Sequence, residues 1–129
     1  MDSKLIAIIQ AEDPARRDTA LKLACQELSL DDLLSECALL DEFRRKEDNL
    51  YPRVRALFFL YAIHRYHLPP KLSDSQIGRI PFAGYELLLK RRFQEAIDAF
   101  LGAMADEGPG DALSPALASA YHQLAFQTL

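Results

Sequence analysis

Between Asn49 and His67 lies a stretch that is apolar on every side of a helix. Val54, Leu57, Phe58, Tyr61 and Ile63 follow helical steps, and Ala56, Phe59, Leu60 and Ala62 fill the positions between them. A helix without a polar face has to be enclosed, either by lipid or by other helices. The unbroken apolar run from Ala56 to Ile63 is eight residues long, whereas a membrane span needs about twenty. The segment therefore predicts the central strut of a helical array. Asp48 or Asn49 can cap its start, Pro52 is tolerated in the first turn, and Pro69-Pro70 stops it.

The composition supports the same architecture. Leucine (22) and alanine (18) dominate the 129 residues, while valine, isoleucine and threonine together number 10. Straight-chain and small side chains lose little rotamer freedom in a helix, and β-branched ones favour strands. The expected fold is all-α, with about seven helices in a single domain spanning 1–129. Residues 1–70 are expected to form the helical core, and 71–129 a hairpin with a final helix. A chain of this length buries a core without disulfide or metal staples.

Caps and periodicity set the boundaries. A short first helix carries Leu5, Ile6, Ile8 and Ile9. Asp13 before Pro14 marks the start of a second helix, expected to run to about Leu28 with Leu21, Ala24 and Cys25 on one stripe. Ser29 with Asp32 resembles a capping box for a third helix bearing Leu30, Leu33, Leu34, Cys37, Leu40 and Phe43. Residues 71–81 read as a loop with one turn of helix after Ser73. Two helices follow near 81–90 and 92–106. Gly108-Pro109-Gly110 then breaks the chain, and Ser114 caps a last helix opened by Pro115. The stripe Ala118, Tyr121, Leu124, Ala125, Leu129 is still running at the last residue. It predicts that the chain is the N-terminal part of a longer polypeptide.

Residues 77–110 have the 34-residue length of a tetratricopeptide repeat. Gly84 falls on the small position of its first helix, and Ala96, Phe100 and Ala103 on the small–aromatic–small ladder of its second. Arg92 through Phe100 is similar to the family's second-helix signature, and Ala118 with Tyr121 continues the register. Pro81 and the late Pro109 depart from the pattern. The resemblance implies a tetratricopeptide-like αα-hairpin in the second half, binding partners along the concave face of its first helices. In this chain that face would carry Tyr85, Leu88, Ser119, His122 and Gln123. The basic and asparagine positions of chaperone-binding members have no counterpart here.

The candidate chemistry is sparse. Tyr61, His64 and His67 lie at three-residue steps. Two histidines on one helix lack a third ligand, and their place near a helix end favours them through the dipole, with a polar edge turned to water. Cys25 and Cys37 sit on leucine-flanked stripes and read as buried and inert. Arg44, Arg45, Lys46, Arg53 and Arg55 form the basic cluster, interleaved with Asp41, Glu42, Glu47 and Asp48, which suits a solvated junction with local ion pairs. A ligand-binding alternative would bring Arg53, Arg55 and His64 together around an anion. Glycine-rich phosphate loops and the nucleophile-elbow motif are absent from the sequence.

The expected function is therefore a non-catalytic protein–protein interaction or domain-docking module. Its partner would be another protein, another domain of the same chain or a second copy. The alternative is an accessory N-terminal domain of a larger enzyme whose active site lies beyond residue 129. No metal, cofactor, nucleic acid or membrane is expected. The acidic N-terminus and the short apolar stretch after it favour the cytoplasm.

Overall fold

Ser3, Asp13 and Ser29 each cap a helix with a side-chain oxygen, accepting from the backbone N–H groups of Ile6, Ala15 and Asp32 at 3.1 Å. These caps set the first part of the chain. The computed structural model describes residues 3–72 and 80–129, and it is all-α. Its helices are α1 (Lys4–Gln10), α2 (Pro14–Arg17), α3 (Leu21–Gln26), α4 (Leu30–Lys46), α5 (Leu50–Ala62), α6 (Phe82–Leu89), α7 (Phe93–Glu107) and α8 (Leu113–Thr128). A π-helical turn, Ile63–His67, continues α5, and a 3-10 turn, Pro69–Lys71, follows it. The turn of helix expected after Ser73 lies outside the described residues.

There are eight helices among the described residues because the expected second helix breaks in two. Asp18, Thr19 and Ala20 leave the helical path, and the Thr19 N–H bonds back to the Arg16 carbonyl at 3.1 Å. Short polar side chains compete with a helical backbone. The Arg17 carbonyl is held instead by the Arg55 guanidinium, which donates to it across the fold. The last helix also starts two residues earlier than expected. Ala112 occupies the cap position, and Ser114 is buried inside the first turn.

The helix α5 is the strut its composition demands. It packs on α4 and α8 along much of its length, and α1 crosses both α4 and α5. The buried cluster runs from Leu5 through Leu33, Leu57, Leu60 and Phe100 to Ala125, so both halves of the chain share one core. The last helix does not extend that core from outside. Leu113, Leu117, Tyr121 and Ala125 are all fully buried in it.

An acid on α4 anchors the N-terminal helix. The Glu36 carboxylate accepts from the Ser3 hydroxyl and, at 2.9 Å, from the Lys4 N–H. A negative charge at a helix N-terminus meets unpaired N–H groups and the positive end of the dipole.

The hairpin α6–α7 turns through Arg91, whose φ of 61° lies in the left-handed region. The Arg92 N–H reaches back to the Leu87 carbonyl at 2.9 Å, closing α6. Gly84 of α6 meets Phe100 of α7 so closely that a Cβ would lie 2.7 Å from the ring Cε1 and 3.3 Å from the Ala99 Cβ. Phe100 is fully buried, so its ring would have to shift within the core. We expect Gly84→Ala to lose about 1–3 kcal/mol despite its gain in helix propensity, because overpacking a rigid core outweighs it. Urea unfolding checks this, and a stabilised variant would contradict it. A small residue against an aromatic is common to many helix pairs and is not by itself evidence for tetratricopeptide-like repeats.

Candidate functional site

The apolar stripe of α4 turns polar towards its C-terminus. Leu33, Cys37 and Leu40 are followed on the same face by Asp41 and Arg44, which are buried with them. Most such residues enter a core with their hydrogen bonds made there. Asp41 Oδ1 accepts from Arg44 Nε at 2.9 Å and from the Tyr121 hydroxyl of α8 at 2.9 Å, and Oδ2 accepts from Arg45 Nε at 2.7 Å. Arg44 Nη2 also lies 2.8 Å from Oδ1, in ion-pair contact but without a directed hydrogen bond. Arg44 Nη1 donates to Gln94 Oε1 and Arg45 Nη2 to Asp98 Oδ1, each at 2.7 Å, which ties α4 to the start of α7.

Beyond those ties α4 and α7 stand apart. The gap between them is a cleft of about 400 Å³. Leu34, Cys37 and Ala38 form one wall, Leu101, Met104 and Ala105 the other, with Pro109 at its edge and Asp41, His64 and Tyr121 as the polar part of the lining. The His64 ring stacks on Tyr121 with centroids 5.8 Å apart and planes 14° from parallel. Arg44 covers the Tyr121 ring at 5.5 Å.

His64 is fully buried, and neither ring nitrogen has a hydrogen-bond partner. The sequence places this ring at a helix end with an edge to water; the fold turns it inward, because the π-helical turn carries Ile63 and His64 into the core together. Burial lowers its pKa to about 4, against a smaller upward pull from Asp41. The imidazole is therefore neutral at physiological pH and offers one donor and one acceptor. Burial also raises the Cys37 thiol and, with the Asp41 charge, the Tyr121 phenol. Both keep their protons near neutral pH, so this lining presents fixed dipoles and hydrogen-bonding groups.

The other sequence-derived candidates are dispersed. Arg53 is exposed on α5. Arg55 is partly buried, caps the α2 end and stacks on Phe59 at 5.2 Å. It lines a different hollow from His64, so Arg53, Arg55 and His64 do not converge. Tyr85 and Leu88 lie on α6, which packs on α7, while Ser119, His122 and Gln123 lie on α8. Of the basic cluster, Arg44 is interior instead of solvated, whereas Arg45 and Lys46 are exposed and form local ion pairs, Arg45 with Asp41 and Asp98 and Lys46 with Glu42. Cys25 and Cys37 are buried and free as expected, and burial raises the Cys25 pKa to about 11. Among the described residues no three His, Cys, Asp or Glu side chains gather as a metal ion requires. No helix among them is long and apolar enough to cross a membrane.

A second surface feature involves α8. Tyr61 and His122 rings lie 4.5 Å apart, His122 and Phe126 4.9 Å, and Phe126 and Phe58 6.0 Å. Phe58 then lines an apolar groove of about 560 Å³ with Leu50, Tyr51, Val54, Arg55 and Leu129. Tyr51 and Phe126 are 61% and 56% exposed. A hollow beside the other end of this aromatic band includes Arg65 and Ser119.

Together these features define an all-helical domain with an apolar-walled cleft that carries a few polar groups, and with an aromatic outer face. Compared with protein-family models, curated proteins and solved structures, the chain matches none of them, so the site is read from its own geometry.

Proposed function

We propose that the protein is a non-catalytic helical docking module of the cytoplasm, and that it receives an acidic amphipathic helix from its partner. The observation that carries this reading is the aromatic band on α5 and α8, from Tyr51 through Phe58 and Phe126 to His122 and Tyr61. Contiguous exposed apolar surface of this kind marks interaction sites. Its two adjoining hollows include Arg55 and Arg65 and no carboxylate side chain. An amphipathic helix that brings leucine or phenylalanine at i, i+4 and glutamate beside them matches both the apolar floor and the basic flanks. The partner helix can belong to another protein or to a further domain of the same polypeptide. An accessory domain of an enzyme would use the same face to seat its catalytic domain.

Of the five residues implied by the tetratricopeptide resemblance, His122 lies in this band and Ser119 beside it. Tyr85 and Leu88 lie on α6, away from it. Read as a tetratricopeptide-like unit, the α6–α7 hairpin would support the fold in this proposal rather than present the docking groove. The two buried free thiols suit a reducing compartment.

The test is fluorescence polarisation with labelled amphipathic helical peptides, one glutamate-rich and one lysine-rich. The glutamate-rich peptide should bind at least tenfold more tightly, with affinity that falls as salt rises. Phe126→Glu, at an exposed position, should abolish that binding and leave the helical circular dichroism unchanged. Equal binding of the two peptides, or no effect of Phe126→Glu, would overturn the proposal. So would light scattering that shows the same face closed by a second copy of the chain.

A further inference from the structure

We propose that the cleft between α4 and α7 is a binding site for a small uncharged amphipathic molecule: a hydrocarbon body bearing one hydroxyl or carbonyl group, held at His64. This site is separate from the docking face and does not depend on it.

Three observations converge here. The first is the space. A cleft of about 400 Å³ falls in the range of small-molecule sites. Its walls come from Leu34, Leu101 and Met104, partly buried side chains that pack against the core cluster. A hydrocarbon body completes their burial.

The second is the unpaired imidazole. Nearly all buried polar groups are satisfied, and beside His64 the Tyr121 hydroxyl and the Asp41 carboxylate obey that rule, while Arg44 Nη2 keeps an ion-pair contact with Asp41. His64 contributes to the cleft lining with both nitrogens unpartnered. A neutral imidazole offers an N–H and a lone pair, and a hydroxyl can bond to either, donating to the lone pair or accepting from the N–H. A carbonyl can only accept from the N–H. The π-helical turn that carries His64 is itself a rare form, frequent at functional sites.

The third is charge. The Asp41 carboxylate at this end of the cleft is already engaged by Arg44, Arg45 and the Tyr121 hydroxyl, and Arg45 also holds Asp98. Two carboxylates and two guanidiniums cancel. An ionised carboxylate or ammonium entering the cleft would give up its hydration and find no free counter-charge. The ligand is thus uncharged.

The chain has two methionines, and among the described residues Met104 is the methionine that lines the cleft, which makes the experiment local. The full chain, labelled with carbon-13 at its methionine methyl groups, is titrated by NMR with octanol, decanoate and decylamine as separate probes. Octanol should shift the Met104 signal saturably, and decanoate and decylamine should bind at least tenfold more weakly. Leu101→Trp, which fills the cleft from its wall, should abolish the octanol shift. His64→Phe should keep the fold and weaken octanol about tenfold, because the ligand hydroxyl is then buried without a partner. An unsaturable octanol shift, tighter binding of either ion, or unchanged affinity in His64→Phe would each overturn the proposal. A failure here leaves the peptide experiment on Phe126 untouched, since the two surfaces share no lining residue.

Discussion

Asp41→Ala is expected to remove about 3–5 kcal/mol of stability, the range seen when one partner of a buried ion pair is deleted. The side chains of Arg44 and Asp41 are 3% and 12% exposed, so the guanidinium left behind has almost no access to water. Gln94 still accepts one of its bonds, but the charge has lost its counter-ion and the Tyr121 hydroxyl its acceptor. Arg45 suffers less, being 36% exposed and still paired with Asp98 at 2.7 Å. The order of damage should therefore be Asp41→Ala, then Asp41→Asn, then Tyr121→Phe. Asparagine keeps one accepting oxygen without the charge. Tyr121→Phe removes one hydrogen bond to a carboxylate that keeps both arginines, a loss of about 1.5 kcal/mol. Urea unfolding at neutral pH gives all three values. For a domain of this size the alanine variant should melt roughly 10–20 °C lower. A loss in Asp41→Ala no larger than in Tyr121→Phe would mean that the network is not the structural tie between α4, α7 and α8.

The second large effect is on the pH dependence of folding. His64 titrates at about 4 in the native protein, and an unfolded chain takes up the same proton near 6.5. Between those values the unfolded state binds a proton that the native state refuses. Stability contributed by this residue's neutrality is complete above pH 6.5, falls as the pH drops, and stops falling below about 4. The total is roughly 3 kcal/mol. His67, lowered by partial burial and by Lys22, works in the same direction. Glu42, held below the usual carboxylate range by its hydrogen bond to Lys46, loses its contribution only at more acid pH. Tyr121 of α8 stacks on His64, and Asp41 and Cys37 of α4 line the same cleft. Of these, only Asp41 pulls the histidine pKa upward. His64→Phe should flatten the stability profile between pH 6.5 and 4. At pH 7 it should be as stable as the parent or more so, since two unsatisfied buried atoms disappear. Unfolding curves at three pH values across that window decide it. Parallel profiles for parent and variant would show that the ring is protonated or solvated in the native state.

A histidine whose removal stabilises the fold is a stability cost that ligand binding would explain, which links this result to the cleft. Proteins commonly give up stability at functional positions.

Much of the architecture was legible from short-range signals. Asp13-Pro14, the Ser29 cap and the apolar sleeve around Leu57 and Leu60 act within one helix or at its ends; the first two marked where a helix starts, and the third marked the central helix. The split at Asp18 was not legible, because the group that holds the Arg17 carbonyl is Arg55, 38 positions away. The candidate site was less legible still. Asp41 and Arg44 continue the Leu33, Cys37, Leu40 stripe, and that phase was the available signal that they point inward. Composition alone reads them as members of a charged, solvated run.

By itself the sequence determined an all-helical array around α5, because propensity, capping and periodicity operate over a few residues and need no partner. Only the tertiary structure decided that Tyr121 meets Asp41 across 80 positions, that His64 lies inside with its nitrogens unpaired, and that Phe58 and Phe126 share an outer face. Those outcomes depend on how helices are rotated against one another. Burial of whole apolar faces sets that rotation, and it carries the occasional polar side chain into the core.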